Sequence, residues 1–287
     1  MKKPRIKIIW LYPKLMSIYG DFGNVLILKK RLEWRGVEAD IVPIGLGEKI
    51  PSDTDLLFMG GGQDRQQTMC VDDLVATKKD SLCALIEENT PALFVCGAYQ
   101  LLGEFYHPLT EDEKKTFDPM IFGKNYHIKD TKEYVSKKGA QLTGAGVLKV
   151  YTVHFGENKP RLIGNAAAEI HPLLLVELKK VYNEVTPDTI VGFENHGGRT
   201  FPTEGWSNSL YPLGTIIKGA GNNGDDKTEG VLYKNVIGTY FHGPLLAKNP
   251  HIADFLLSRT EKLKDRWFTL SHLDDIPELT AHESALR

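Results

Sequence analysis

The chain has 287 residues, of which 41% are hydrophobic and 25% charged, and its formal net charge is -2. A chain of this length and composition can bury a sizeable core, but it has no basic excess for binding nucleic acid or an anionic membrane. Its three cysteines form no C-x-x-C pair, which argues against a disulfide framework and favours a reducing cytoplasm. No run of about 18 apolar residues occurs, so a membrane-spanning helix is not expected.

The first hundred residues alternate between strand and helix patterns. A first helix begins near Asp21, which can cap it, and ends at Gly36, and a second helix covers much of residues 68–88. Short apolar runs predict strands at residues 6–12, 39–44, 55–59 and 92–95. This alternation predicts an α/β fold with a mostly parallel central sheet flanked by helices.

The second half of the chain is richer in strand patterns. We predict a last helix from about 249 to 265 and strands near residues 147–154, 189–194, 213–218, 229–233 and 235–240. One domain then spans residues 1–265. Residues 107–140 are polar with weak periodicity and predict an insertion, and residues 266–287 predict a polar C-terminal tail. A solvated loop and a frayed terminus explain these two stretches most simply, and contacts with a partner are the alternative.

Cys96 stands where a predicted strand turns into a helix. It follows the apolar run 92–95 and precedes Gly97 and Ala98, which allow a sharp bend. A thiol at such an elbow faces the N-terminus of the helix, where the dipole favours the thiolate, so Cys96 is a candidate nucleophile. A small apolar residue in a core strand is the alternative, although it accounts less well for the two small residues that follow.

A thiolate nucleophile needs a proton carrier, and two histidines are candidates. His196, in V-G-F-E-N-H-G-G, follows a predicted strand, and this position at the strand end favours it as the general base. His242, in G-T-Y-F-H-G-P, has almost the same setting and is the second choice. None of the nine histidines has an H-x-x-x-H spacing, so no metal site is expected.

A triple glycine at residues 60–62 follows the strand predicted at 55–59. Its backbone N–H groups can converge on a developing oxyanion because no side chain blocks their approach. A flexible turn would be the better interpretation if no nucleophile elbow lay one helix downstream. The phosphate-binding pattern G-x-x-x-x-G-K-[ST] is absent, so this chain is not expected to bind ATP.

Together these features resemble the class I glutamine amidotransferases and, among them, the cobyric-acid-synthase branch. Within that branch the chain is similar to the glutaminase subunits of lipid II isoglutaminyl synthases. The resemblance implies a flavodoxin-like core. It is carried by Y-G-D-F-G-N at 19–24, G-G-G-Q-D-R-Q-Q at 60–67, F-V-C-G-A-Y-Q-L-L-G at 94–103, V-G-F-E-N-H-G-G-R-T at 191–200 and G-T-Y-F-H-G-P-L-L-A-K-N at 238–249.

The resemblance also implies a reaction and a set of site residues. Cys96 would attack the side-chain amide of L-glutamine and release ammonia through a glutamyl thioester, with His196 shuttling the protons. Backbone N–H groups of the glycines would hold the oxyanion. By the same likeness, the glutamine site would comprise Gly61, Gly62, Gly97, Gln100 and Arg161.

A partner is implied as well. Ammonia would pass to a Mur-ligase-like synthetase subunit in a heterodimer, and that partner would use ATP and Mg²⁺ to amidate D-glutamate in the lipid II stem peptide. This chain itself would need no cofactor. The alternatives are the glutaminase of another amidotransferase, such as a cobalamin-pathway enzyme, and a catalytically silent assembly module.

One departure from the family pattern concerns the catalytic acid. Many class I members carry an acid two residues after the histidine, where this chain has Gly198. Glu194, two residues before His196, and a carboxylate of the partner are the candidates for completing a triad. A partner carboxylate would make the isolated chain a poor glutaminase.

Overall fold

The computed structural model describes residues 5–125, 135–136, 139–156, 159–182, 186–263 and 270–287. The helices of this part of the chain are α1 (Phe22–Trp34), α2 (Asp64–Asp73), α3 (Lys79–Glu87), α4 (Gly97–Leu102), α5 (Glu111–Thr116), α6 (Pro119–Asn125), α7 (Pro172–Val181), α8 (Pro250–Ser258) and α9 (Ile276–Leu286). Its strands are β1 (Arg5–Leu11), β2 (Glu38–Ile44), β3 (Leu56–Met59), β4 (Ala92–Val95), β5 (Phe105–Pro108), β6 (Val135–Ser136), β7 (Gly139–Ala140), β8 (Leu142–Thr143), β9 (Val150–His154), β10 (Leu162–Ile170), β11 (Thr189–His196), β12 (Gly198–Pro202), β13 (Leu210–Tyr211), β14 (Gly214–Lys218), β15 (Thr228–Glu229), β16 (Val231–Tyr233) and β17 (Val236–Thr239).

The central sheet has seven strands in the order β13-β16-β17-β4-β3-β1-β2. The five strands from β17 to β2 run parallel, and β16 and β13 continue the sheet antiparallel. Strands β3 and β4 are buried along their whole length, as expected of short apolar strands covered by helices on both faces. The prediction of an α/β fold with a mostly parallel central sheet is confirmed.

The second half of the chain adds two four-stranded sheets, β11-β10-β14-β15 and β12-β9-β5-β8. Strands β10 and β12 were not predicted, because L-I-G-N-A-A-A-E-I consists largely of small residues and G-R-T-F-P is short and ends in proline. The helix predicted at 68–88 is interrupted by a π-helical turn at Leu74–Lys78. The last predicted helix ends at Ser258 instead of 265, and residues 264–269 lie outside the described part.

The stretch predicted as an insertion, residues 107–140, contributes to a small second core. Phe117 and Phe122 pack against a buried aromatic and aliphatic cluster that includes Tyr151 and Phe201. Residues 126–134 and 137–138 of this stretch lie outside the described part of the chain. No helix among the described residues is both long and apolar enough to cross a membrane.

The C-terminal segment, predicted as a frayed tail, contains α9, which packs against β10 and β11. His282 on α9 is buried and hydrogen bonds to the Thr189 hydroxyl at 2.8 Å and to the Lys248 carbonyl at 2.7 Å. Polar contacts thus hold this helix against the fold. Because its apolar pattern is weak, the sequence did not predict the helix.

A buried ion network ties the first helix to the C-terminal segment. Arg31 on α1 donates two hydrogen bonds to Asp254 on α8, at 2.7 and 2.8 Å, and two to Asp275, at 2.6 and 2.9 Å. Asp275 immediately precedes α9 and also accepts a hydrogen bond from the Tyr182 hydroxyl. The Arg31 side chain is 1% exposed, so its charge depends on these carboxylates for compensation.

Replacing Arg31 by methionine should destabilise the chain by about 3–5 kcal/mol, because two buried carboxylates then lose their shared cation. The measurement is urea unfolding of Arg31→Met beside wild type. Arg5→Met is the control, since the Arg5–Asp40 pair is exposed and should leave the unfolding midpoint unchanged. Equal midpoints for Arg31→Met and wild type would contradict the prediction.

Candidate active site

The candidate site lies at the carboxyl ends of neighbouring parallel strands, where open α/β sheets form their sites. Cys96 directly follows β4, and its N–H donates to the Thr239 carbonyl at the end of β17, at 2.7 Å. His242 comes three residues after β17, which pairs with β4 on one side. On the other side β3 leads into the glycine turn at residues 60–62, and the next strand, β1, leads into the loop that holds Asp21.

Cys96 forms the predicted strand-to-helix elbow. Its backbone has φ 50° and ψ -105°, a strained conformation for a residue with a side chain, and α4 begins at the next residue. The side chain lines a cavity of about 500 Å³ together with residues from several loops. Strain of this kind persists only where the surrounding structure enforces it, which is common at catalytic positions.

His242 is held against Cys96 by a carboxylate. Its Nδ1–H donates to both carboxylate oxygens of Asp21 at 3.0 Å, and both side chains are fully buried. Burial disfavours the charged imidazole, but the charges of Cys96 and Asp21 outweigh it and raise the pKa of His242 to about 10. Its Nε2 makes no other hydrogen bond among the described residues, and Cys96 acts on the His242 ring both by its charge and by a side-chain hydrogen bond.

His196 enters the same cavity from a different sheet, at the end of β11. Its ring stacks on Tyr240 with centroids 3.6 Å apart, and its Nδ1–H donates to the Gly198 carbonyl at 2.8 Å. Burial lowers the pKa of His196 to about 3, so the ring is neutral. The described residues include no hydrogen bond between His196 and Cys96. Because Cys96 and Asp21 both act on His242, whereas Nδ1 of His196 meets only a carbonyl, the geometry favours the second choice, His242, as the partner of the thiol.

The acid beside His242 is Asp21, and this role was not predicted from the sequence. Asp21 was expected to cap α1, and it does occupy the N-cap position, but its side chain makes no capping hydrogen bond and turns to His242 instead. Glu194 is directed away from both histidines, because its carboxylate accepts the N–H groups of Ala220 and Gly221 at 2.8 and 2.9 Å. The only signal for Asp21 in the sequence was its place in Y-G-D-F-G-N.

The glycine turn and the start of α4 approach each other closely. The Gly61 N–H donates to Asp21 at 2.7 Å and is thereby engaged, whereas the Gly62 N–H makes no hydrogen bond among the described residues. A β-carbon on Gly97 would lie 3.0 Å from the Gly62 carbonyl oxygen. Gly62 lines the cavity and Gly97 directly follows Cys96, so both bring backbone close to the thiol where a larger residue would not fit.

Gln100 and Arg161 lie on different sides of the cavity. Gln100 is buried, accepts a hydrogen bond from Gln67 at 3.0 Å and donates one to the Tyr240 hydroxyl at 3.0 Å. Arg161 lies at the exposed mouth, where it donates to the Asn195 side chain and carbonyl at 3.1 and 3.0 Å. All the residues predicted for the glutamine site except Gly61 line the cavity or border Cys96 directly.

No group of three or more His, Cys, Asp or Glu side chains in the described ranges is arranged to hold a metal ion. The polar side chains that line the cavity are instead a thiol, amides, tyrosine hydroxyls, the imidazoles of His154 and His196, the Asp64 carboxylate and the guanidinium groups of Arg65 and Arg161. This set suits nucleophilic attack on a neutral polar substrate assisted by proton transfer.

Comparison with known proteins gives the class. The family model of the CobB/CobQ-like glutamine amidotransferase domain matches residues 7–118 and 119–250. The chain belongs to this family of glutamine amidotransferases, so the resemblance found in the sequence is confirmed.

Individual proteins of this family are similar to the chain over most of its length or over part of it. Subunit GatD of lipid II isoglutaminyl synthase (glutamine-hydrolyzing) from Staphylococcus aureus strain N315 is 34% identical over 270 residues, which cover 93% of this chain and 89% of that protein. GatD from Streptococcus pneumoniae strain ATCC BAA-255 / R6 is 35% identical over 261 residues, covering 91% of this chain and 82% of that protein. Cobyric acid synthase from Ruminiclostridium cellulolyticum is 28% identical over 159 residues, covering 54% of this chain and 23% of that protein.

Adding a methyl group at Gly61 should displace His242, because a β-carbon there would lie 2.6 Å from the His242 Cε1 atom. We expect Gly61→Ala to slow alkylation of Cys96 by iodoacetamide at neutral pH, with the far-UV spectrum unchanged. Gly45→Ala is the matched control, since a β-carbon at Gly45 meets only the Glu48 side chain at 3.5 Å. Equal alkylation rates in the two variants would contradict the prediction.

The pH dependence of stability should also report on His242. Its folded-state pKa of about 10 exceeds the ordinary 6.5, so its stabilising contribution is complete below pH 6.5 and is lost as the pH rises through 10. Wild type should therefore lose stability more steeply than His242→Gln in this window, measured by urea unfolding. Glu229, whose pKa burial raises to about 8, titrates in both proteins and cancels in the comparison. Parallel curves would refute the assignment of the charge to His242.

Proposed function

We propose that this chain is a glutaminase: it hydrolyses L-glutamine through a Cys96 thioester and supplies ammonia to a synthetase subunit. The observation that carries the proposal is the line of Asp21, His242 and Cys96 beside a glycine-lined cavity. Membership of the glutamine amidotransferase family and the likeness to GatD subunits over about nine-tenths of this chain support it.

In the first half of the reaction the Cys96 thiolate attacks the side-chain amide carbon of glutamine. The carbonyl oxygen becomes an oxyanion, which the N–H groups of Gly62 and Gly97 stabilise. When the C–N bond breaks, the His242 imidazolium gives its Nε2 proton to the departing nitrogen, and ammonia leaves. The products of this half are a glutamyl thioester on Cys96 and a neutral His242.

In the second half the neutral His242 takes a proton from water, and the resulting hydroxide adds to the thioester carbon. Collapse of the tetrahedral intermediate breaks the C–S bond, releases glutamate and regenerates the thiolate beside the imidazolium. Asp21 holds Nδ1–H throughout, so that Nε2 always faces the reacting atoms, and its charge stabilises the imidazolium. The balance is glutamine plus water giving glutamate, ammonia and one proton, which the new side-chain carboxylic acid loses at neutral pH.

The cavity supplies groups for holding glutamine along its length. Gln100 is fixed between Gln67 and Tyr240 and shapes the inner wall. Arg161 at the mouth is placed to attract the α-carboxylate, which is the only negative charge on the substrate. His196 lines the wall but has a carbonyl on Nδ1 where His242 has a carboxylate, so we assign the acid–base role to His242.

The ammonia would be used by a partner. The names of the two GatD relatives describe subunits of a synthase that acts on lipid II. We infer that this chain likewise forms a heterodimer with a Mur-ligase-like synthetase, which uses ATP and Mg²⁺ to amidate D-glutamate of the stem peptide in the cytoplasm. This chain itself needs no metal or cofactor for the steps above.

The first test is covalent capture with 6-diazo-5-oxo-L-norleucine, a glutamine analogue whose diazo ketone alkylates an activated thiolate with loss of nitrogen gas. Intact mass and peptide mapping should find one adduct, on Cys96, in wild type and none in Cys96→Ser. Because Asp21 is supplied by the same chain, we expect capture without the partner. No adduct, either alone or with the synthetase subunit, would overturn the glutaminase assignment and leave the silent assembly module.

The same reagent tests the roles of the two histidines. His242→Gln and Asp21→Asn should lower the maximal rate of capture, by about 10²–10⁴-fold for His242→Gln, because the thiolate loses its proton partner. His171→Asn, a change at the start of α7 outside the cavity, is the control. Loss of capture in His196→Asn but not in His242→Gln would contradict this assignment and identify His196 as the general base.

A further inference from the structure

His196 is a buried imidazole, and one of its two ring nitrogens has no hydrogen-bond partner among the described residues. Its side chain is 2% exposed, it lines the cavity next to Cys96, and its Nε2 has no hydrogen bond partner among the described residues. An unpaired buried polar atom is costly, about 1–3 kcal/mol, and is rare without a reason. The mechanism proposed above gives this nitrogen no task.

The hydrogen bonds of the ring define what Nε2 offers. Because the Gly198 carbonyl can only accept, Nδ1 carries the hydrogen, and Nε2 of the neutral ring presents a lone pair. The ring lies flat on Tyr240, whose hydroxyl is held by Gln100 and by Thr200 at 2.6 Å, and this packing favours a single ring orientation. Nε2 is therefore an unused hydrogen-bond acceptor on a residue that lines the cavity.

The surroundings keep the ring neutral. His242, Arg199 and Arg161 all place positive charge near His196, and a carbonyl stabilises an imidazolium far less than the Asp21 carboxylate stabilises that of His242. The two histidines thus differ in their protonation. The His242 imidazolium can donate a proton, whereas Nε2 of the neutral His196 ring can accept a hydrogen bond.

We propose that Nε2 of His196 accepts a hydrogen bond from the side-chain amide N–H of the bound glutamine, which makes His196 a specificity-determining residue. This inference rests on the proposed function. Glutamine has two kinds of N–H donor, the side-chain amide and the α-ammonium. Glutamate lacks the first, and its side-chain carboxylate would set lone pairs against the Nε2 lone pair. An acceptor aimed at the amide would therefore admit the substrate and reject the product.

The substitutions that test this role differ in which nitrogen they imitate. In the full chain carrying Cys96→Ala, which binds without turnover, His196→Asn keeps a donor near Nδ1 and removes the acceptor. His196→Gln restores an oxygen near the Nε2 position. We expect the Kd for L-glutamine, measured by calorimetry, to rise about tenfold in His196→Asn, as for a lost buried hydrogen bond, and to recover in part in His196→Gln. His171→Asn should bind as the parent does.

Two analogues identify the donor. If the amide is the partner, the His196→Asn penalty persists with 4-carbamoylbutanoate, which lacks the α-amino group, and the Kd ratio of glutamate to glutamine falls. If the α-ammonium is the partner, the penalty persists with L-glutamate γ-methyl ester, which lacks the amide N–H. The first pattern supports the proposal, and the second overturns it, because glutamate carries the same α-ammonium and would not be rejected. In both cases the ¹⁵N resonance of His196 Nε2 should move when glutamine binds, which a purely structural role would not cause.

Equal Kd values for glutamine in His196→Asn and its parent, or an unmoved Nε2 resonance, would overturn the proposal while leaving the glutaminase assignment intact. Absence of glutamine binding to the Cys96→Ala chain, together with absence of the diazo-ketone adduct on wild type, would overturn both.

Discussion

One buried carboxylate organises the site. Asp21 accepts the Nδ1–H of His242 and, through the same group, the N–H of Gly61, so it ties the loop after β1 to the ends of β3 and β17. Neither partner alone would compensate a carboxylate that is 0% exposed. The position of His242, the shape of the glycine turn and the access of Gly62 to the cavity all depend on this one group. The family's usual acid after the histidine becomes unnecessary, because the acid arrives from the amino-terminal end of the chain.

The two histidines illustrate how environment divides chemically equal side chains. Both stand at or just after the end of a strand and precede glycine, yet their Nδ1 partners differ: a carboxylate for His242 and a carbonyl for His196. A carboxylate favours the charged ring, and a carbonyl within a buried stack on Tyr240 does not. The sequence around each histidine contains no trace of this difference, since both partners come from backbone geometry or from distant parts of the chain.

Local patterns were sufficient for the parts of the fold that are built locally. The apolar runs of β1 to β4 and the small residues after Cys96 predicted the central sheet and the elbow, because burial on both faces and a sharp turn each demand particular residue types. Long-range pairing was not predictable in the same way. Asp21 looks like a helix cap, β10 has too many alanines to read as a strand, and α9 is fastened by polar contacts. The choice between His196 and His242 needed the strand order, since of the two strands that lead to these histidines only β17 pairs with β4.

The Arg31 network has a consequence for the order in which the chain becomes structured during synthesis. Arg31 is made early, whereas its partners Asp254 and Asp275 follow 223 and 244 positions later. Until both have emerged, burying α1 in its final place would strand a positive charge in an apolar setting. The amino-terminal strands can pair, but the packing of α1 against α8 cannot be completed before the C-terminal segment is present. The C-terminal segment that contains Asp275 therefore completes the packing of α1.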